Sequence, residues 1–96
     1  MTDDLEGEFT VDVLNHFTRL TGRLGCSPAD YGQAMAWEST GMPVAIVLRT
    51  LETWADKNKT KPWLRRAPLE WVNPWVEEAF HNWRRAIGPY YGRRVS

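Results

Sequence analysis

The sequence predicts an all-α domain, a single small bundle of four main helices. Three observations carry this. Apolar residues recur at i, i+3, i+4 and i+7 in four separate stretches, the spacing of one helix face. Those stretches are punctuated by helix-end residues: Ser27-Pro28 and Asn73-Pro74 at starts, Gly41 and Gly88-Pro89 at stops. No Asn-Gly or Asp-Gly hairpin step occurs, and apolar alternation is nowhere sustained, which argues against a sheet.

Residues 1–8, Met-Thr-Asp-Asp-Leu-Glu-Gly-Glu, are acidic and poor in apolar side chains and read as a flexible arm. Phe9, Val13, Phe17, Leu20 and Leu24 then mark one face. Thr10 is a candidate N-cap and Gly22 or Gly25 a stop, so the first helix is expected over about 10–21. Ser27 can cap a second helix over about 28–39. Pro28 suits its first position, and Asp30 stands where a capping box wants an acidic side chain. Gly41 suits the left-handed position behind that helix.

The third helix, about 43–57, opens on Pro43 and carries Val44, Val47, Leu48, Leu51 and Ala55 on one face. Its β-branched start would also suit a strand, but the pattern continues at helical spacing through Trp54, too far for an ordinary strand. It should be the most buried of the four. Lys57–Pro62 is a polar, basic connection, and a short helical turn is expected near 68–72. Asn73 can cap the last helix, about 74–87, with the stripe Val72, Trp75, Val76, Ala79, Phe80, Trp83 and Ile87. Gly88-Pro89 should end it. The organisation expected is therefore an acidic arm (1–8), a bundle domain (9–88) and a basic, aromatic tail (89–96).

Ninety-six residues make one domain with a modest core. Each of the six tryptophans can bury roughly 150–250 Å², so most are expected inside. Net charge is zero but unevenly spread. Residues 1–48 carry two Lys/Arg against seven Asp/Glu, and residues 49–96 carry ten against five. That asymmetry suggests a basic surface and permits head-to-tail self-association. The single cysteine, Cys26, excludes a disulfide framework and a cysteine zinc cluster. No basic-then-apolar leader opens the chain and no apolar run approaches membrane-spanning length, so a cytoplasmic protein with no membrane partner is expected.

Catalytic chemistry finds little support. Glu77 and Glu78 precede His81 as in half of a di-iron carboxylate site, but the second half is absent. Cys26 has no histidine near it in sequence to act as its base. Gly22-x-x-Gly25 is a helix end rather than a phosphate-cradling loop. The expectation is no enzyme, no metal and no cofactor. The basic residues are more informative. Lys57, Lys59 and Lys61 alternate through the connection, followed by Arg65 and Arg66. Arg84, Arg85, Arg93 and Arg94 bracket Tyr90 and Tyr91. Cations hold phosphates and aromatic faces stack on unpaired bases, so these eleven residues are the candidate contacts to single-stranded nucleic acid or a DNA backbone, with a protein of a larger complex as the other or additional partner. Trp37, Trp63 and Trp71 fit their helical stripes least well and are the candidate protein-interface anchors.

Three stretches resemble the small helical domain of DnaD-like proteins, the primosome and phage replisome-organiser group. His16-Phe-Thr-Arg-Leu-Thr-Gly-Arg23 with Ser27-Pro28 looks like the family's opening helix and the start of its next. Trp37-Glu-Ser-Thr-Gly-Met-Pro-Val-Ala-Ile-Val-Leu-Arg49 looks like its helix–Gly–helix step. Trp71-Val-Asn-Pro-Trp-Val-Glu-Glu-Ala-Phe-His-Asn-Trp83 looks like its closing helix. The family's Tyr-x3-Ile-x3-Trp motif falls on Trp75, Ala79 and Trp83, of which Trp83 is identical. The resemblance spans about residues 16–83. Short uncharacterised bacterial helical proteins with a Gly-Ile-Pro-Leu–Val-Leu-Arg core are similar too. The DnaD-like resemblance implies a DNA-binding accessory in replication initiation, with the basic segment after the last helix on DNA and helical faces on partner proteins.

The function expected is thus a non-enzymatic, DNA-associated accessory module in replication initiation or a mobile element. The alternative is a protein-binding helical module, either a small subunit of a nucleoprotein complex or a phage- or plasmid-encoded inhibitor of a host machine.

Overall fold

The computed structural model describes the backbone of residues 2–95 and the side chains of residues 8–86. Among the described residues there are four α-helices and no strand: α1 (Thr2–Thr21), α2 (Pro28–Ser39), α3 (Val44–Lys57) and α4 (Asn73–Val95). Two short 3-10 turns, Leu64–Arg66 and Leu69–Val72, link α3 to α4. The all-α bundle expected from the sequence is the fold observed.

Three helix ends differ from expectation. The first helix begins at Thr2, not near Thr10. Thr10 is instead buried within the helix, and its hydroxyl donates to Glu38 Oε1 at 3.1 Å, fastening α1 to α2. Pro43 is the N-cap of α3 rather than its first residue. The last helix runs through Gly88-Pro89 to Val95. The stop expected at Gly88-Pro89 is therefore not the end of the helix.

Other signals behave as the sequence implies. Both halves of the capping box form: Asp30 N–H donates to Ser27 Oγ at 3.2 Å and Ser27 N–H to Asp30 Oδ2 at 3.0 Å. Gly41, φ +82°, takes the left-handed position that ends α2, where a side chain would be strained.

The core lies where α1 and α3 meet, closed by the 3-10 turns and the start of α4. Val13 and Phe17 of α1 pack with Val47 and Leu51 of α3, and Leu69, Val72 and Val76 complete it, all fully buried. Side chains of this size contribute roughly 1.5–3 kcal/mol each when withdrawn from water. An aromatic series leads outward from this centre: Phe17 to Trp54 at 6.1 Å, Trp54 to Trp63 at 6.1 Å, and Trp63 edge-on to Trp71 at 5.3 Å.

A buried ion pair fixes the 3-10 segment. Asp30 is 1% exposed. It accepts from Arg23 Nη1 at 2.8 Å and from the Leu69 N–H at 3.0 Å. Arg23 Nη1 also donates to the Ala67 carbonyl at 3.0 Å, and its guanidinium lies 5.5 Å from the centre of the Phe17 ring. Burial pushes the Asp30 carboxyl up. The Leu69 and Ser27 N–H groups, the Arg23 charge and the Ser27 hydroxyl together outweigh that and hold it below its ordinary value.

Candidate nucleic-acid interface

The basic connection is anchored on tryptophan at both ends. Lys57, in the last turn of α3, places its ammonium 5.3 Å from the centre of the Trp75 ring. Trp63, at the other end, sits against Trp71. The residues between carry Lys59 and Lys61, both exposed. Arg65 and Arg66 follow on the first 3-10 turn, also exposed. Lys57 thus lies on Trp75 and Trp63 on Trp71, with Lys59, Lys61 and Arg66 exposed along the connecting chain and Arg65 beside Gly22 at the end of α1. Asp56 pairs with Lys59 at 3.6 Å, and Glu70 and Glu78 stand nearby, so the field is positive but moderated.

The backbone explains why this end is built so. Leu64, Ala67, Leu69 and Val72 are buried and pull the segment onto the core. In two short 3-10 turns the residues between those anchors face outward, which leaves Arg65, Arg66, Glu70 and Trp71 exposed. Trp71 is 50% exposed and Trp75 37%. Lys57, Pro74, Trp75 and Glu78 line a notch of about 340 Å³ open to solvent.

Arg84 does not join this group, whereas Arg85, also exposed, stands about 80° around α4 from Trp75. Nine residues at 3.6 per turn put Arg84 on the side of α4 opposite Trp75 and roughly 13 Å along the axis. Its guanidinium lies 5.5 Å from the centre of the Phe80 ring, and Phe80 stacks on Trp83 at 5.9 Å. There it borders a groove of about 380 Å³ floored by Trp37, Met42 and Phe80 and rimmed by Glu77 and His81. The side chains of Tyr90, Tyr91, Arg93 and Arg94 lie outside the described residues.

The tryptophans expected at an interface divide. Trp37 is a correction: it is 2% exposed, and its Nε1–H donates to Asn73 Oδ1 at 2.7 Å. Asn73 also accepts from Gln33 at 3.3 Å and donates to Glu77 at 3.1 Å. It is the first residue of α4 rather than its cap, its side chain being spent on Trp37. Trp63 is half-buried and Trp71 exposed. Trp75 is the residue that sequence reasoning missed. The spacing places it in the apolar stripe of α4, yet Val72 and Val76, buried, and Phe80, packed on the core, define that face and leave Trp75 beside it. Its four-residue spacing from Trp71, downstream of the basic stretch 57–66, is the available signal.

Of the residues considered for chemistry, Glu77 and His81 border the same groove, and His16 and Cys26 lie elsewhere. His81 is exposed on the groove rim. His16 bonds Glu52 Oε2 through Nε2 at 2.8 Å, across α1 and α3. No group of three metal-binding side chains occurs among the described residues. Burial, then the nearby Asp30 charge, push the Cys26 thiol up against a smaller opposing effect of Arg23, which disfavours the reactive thiolate. No described helix is long and apolar enough to cross a membrane. No protein-family model matches the chain, and neither a curated protein nor a solved structure does so.

Proposed function

We propose that the protein is a non-enzymatic, DNA-associated accessory module of the cytoplasm, acting in replication initiation or in a mobile element. Lys57, Lys59, Lys61, Arg65 and Arg66 hold phosphates, with Arg84, Arg85, Arg93 and Arg94 as secondary cations. The observation that supports this reading is the connection from Lys57 to Trp63, tied at each end to an exposed indole and bearing two further exposed lysines between. The DnaD-like resemblance points the same way. Anisotropy titration of a labelled oligonucleotide tests it. Affinity falls steeply with salt, and replacing Lys57, Lys59 and Lys61 together by alanine flattens the log–log slope by about 2. Binding that ignores salt, or is indifferent to the triple substitution, rejects the reading.

A second reading rests on a different surface. Tyr31 and Met35 lie one turn apart on α2 and are both exposed, as is Val11 on α1. Such apolar exposure suits a protein partner or a second copy of the chain. A partner that copurifies after nuclease treatment and is lost with Tyr31→Ala would favour it.

A further inference from the structure

We propose that the basic end takes single-stranded nucleic acid, with unpaired bases stacking on Trp71 and Trp75 and not on the closing Tyr90–Tyr91 pair. This rests on the nucleic-acid reading above and narrows it to a class of ligand.

The geometry points to an unpaired strand in three ways. Trp71 and Trp75 are both substantially exposed, at 50% and 37%, in a protein that buries Trp37 and Trp54 almost completely. Four residues separate them, Trp71 on the second 3-10 turn and Trp75 in the first turn of α4, and the residue after each, Val72 and Val76, is buried. The lysine-bearing connection begins on Trp75 and ends on Trp63, itself against Trp71, so it runs from one platform to the neighbour of the other.

A duplex offers this surface its phosphates but hides its base faces within the stack. A single strand offers both, and every base has a face that an aromatic ring can cover. Lys57 has a defined part. With no ligand its ammonium occupies the face of Trp75, a cation–π contact. A base arriving on that face displaces the ammonium, which a flexible lysine stem can move to the adjoining phosphate. Glu78 on the same notch disfavours a phosphate there, so the base and not the backbone occupies the ring face.

The test uses the full chain with three probes of about 12 nucleotides: oligothymidylate, oligouridylate and a DNA duplex. Affinity is read by anisotropy and stacking by quenching of tryptophan fluorescence. The strands are expected to bind at least tenfold more tightly than the duplex and to quench, the two strands showing whether DNA or RNA is preferred. Trp71→Ala and Trp75→Ala should each weaken strand binding by about 5- to 150-fold with little effect on duplex binding. Trp75→Phe should recover most of the loss. Both positions are exposed, and circular dichroism with thermal unfolding confirms that each variant folds. Equal, salt-dependent binding of strand and duplex overturns the inference and leaves the nucleic-acid reading standing. So does strand binding that both alanine variants keep within twofold. Failure of all three probes to bind overturns both.

Discussion

At the joint between α1, α2 and the 3-10 segment, Arg23 and Asp30 are drawn inward, and among the described residues no buried side-chain nitrogen or oxygen is left without a partner. Asp30 takes hydrogen bonds from Arg23, Ser27 and Leu69, and Arg23 gives another to Ala67. A few residues along the same segment, Arg65, Arg66 and Trp71 are left exposed. Both regions combine charge with aromatic rings, yet one spends its charges on the chain itself and the other presents them outward. Burial of an ion pair is tolerable only when hydrogen bonds replace the lost water. The joint therefore carries stability and fixes where the outward residues stand, and the exposed end is open to change without loss of fold.

The largest test is Asp30→Ala. It strands Arg23 and the Leu69 N–H, and unfolding in urea should show a loss of about 3–5 kcal/mol. Asp30→Asn keeps the shape and should cost less. Lys61→Ala and Arg66→Ala, at the exposed end, should stay within about 0.5 kcal/mol. Comparable losses in both regions would break the contrast.

The same carboxylate predicts an acid limb. Its folded-state pKa lies below the ordinary 3.8, so in that interval the unfolded chain binds the additional proton. The stabilisation is present above about 3.8 and is lost as pH falls through the lower folded-state value. Unfolding free energy followed downward from pH 6 should decline more steeply in the native chain than in Asp30→Asn. Identical profiles would mean that the carboxylate contributes nothing particular.

Trp37 and Trp71 sharpen the comparison further. Trp37→Phe removes the donor to Asn73 and leaves space where the larger ring was, for a cost of about 2–3 kcal/mol by thermal or urea unfolding. Trp71→Phe should change stability by less than about 0.5 kcal/mol.

These two residues also show what the sequence could not reveal. Helix existence was legible, since spacing and caps are local. So was the capping box at Ser27. Whether a tryptophan faces in or out depends on what packs over it, and here the partners are distant. Asn73, thirty-six residues along, gives Trp37 its polar contact. Asp30 reads as a helix cap from its neighbours, but its second role, toward Leu69, spans thirty-nine residues. The basic residues looked like one surface in the sequence. Half a turn of helical phase separates Arg84 from Trp75, and the sequence does not show that Trp75 is the residue beside Lys57.

The smallest expected effect comes from a pair with the same length as the buried one. His16 Nε2 and Glu52 Oε2 are 2.8 Å apart, as are Arg23 Nη1 and Asp30 Oδ2. Distance alone would rank them equal. The Glu52 side chain is 57% exposed against 1% for Asp30, so water solvates it when the partner is removed and salt screens it when the partner stays. Glu52→Gln should therefore shift unfolding free energy by less than about 1 kcal/mol, with no further loss at high salt. A shift above about 2 kcal/mol would show that the α1–α3 contact is held electrostatically. The distinction between a chain that pairs its charges inside and presents them outside would then have to be redrawn around three helices instead of one joint.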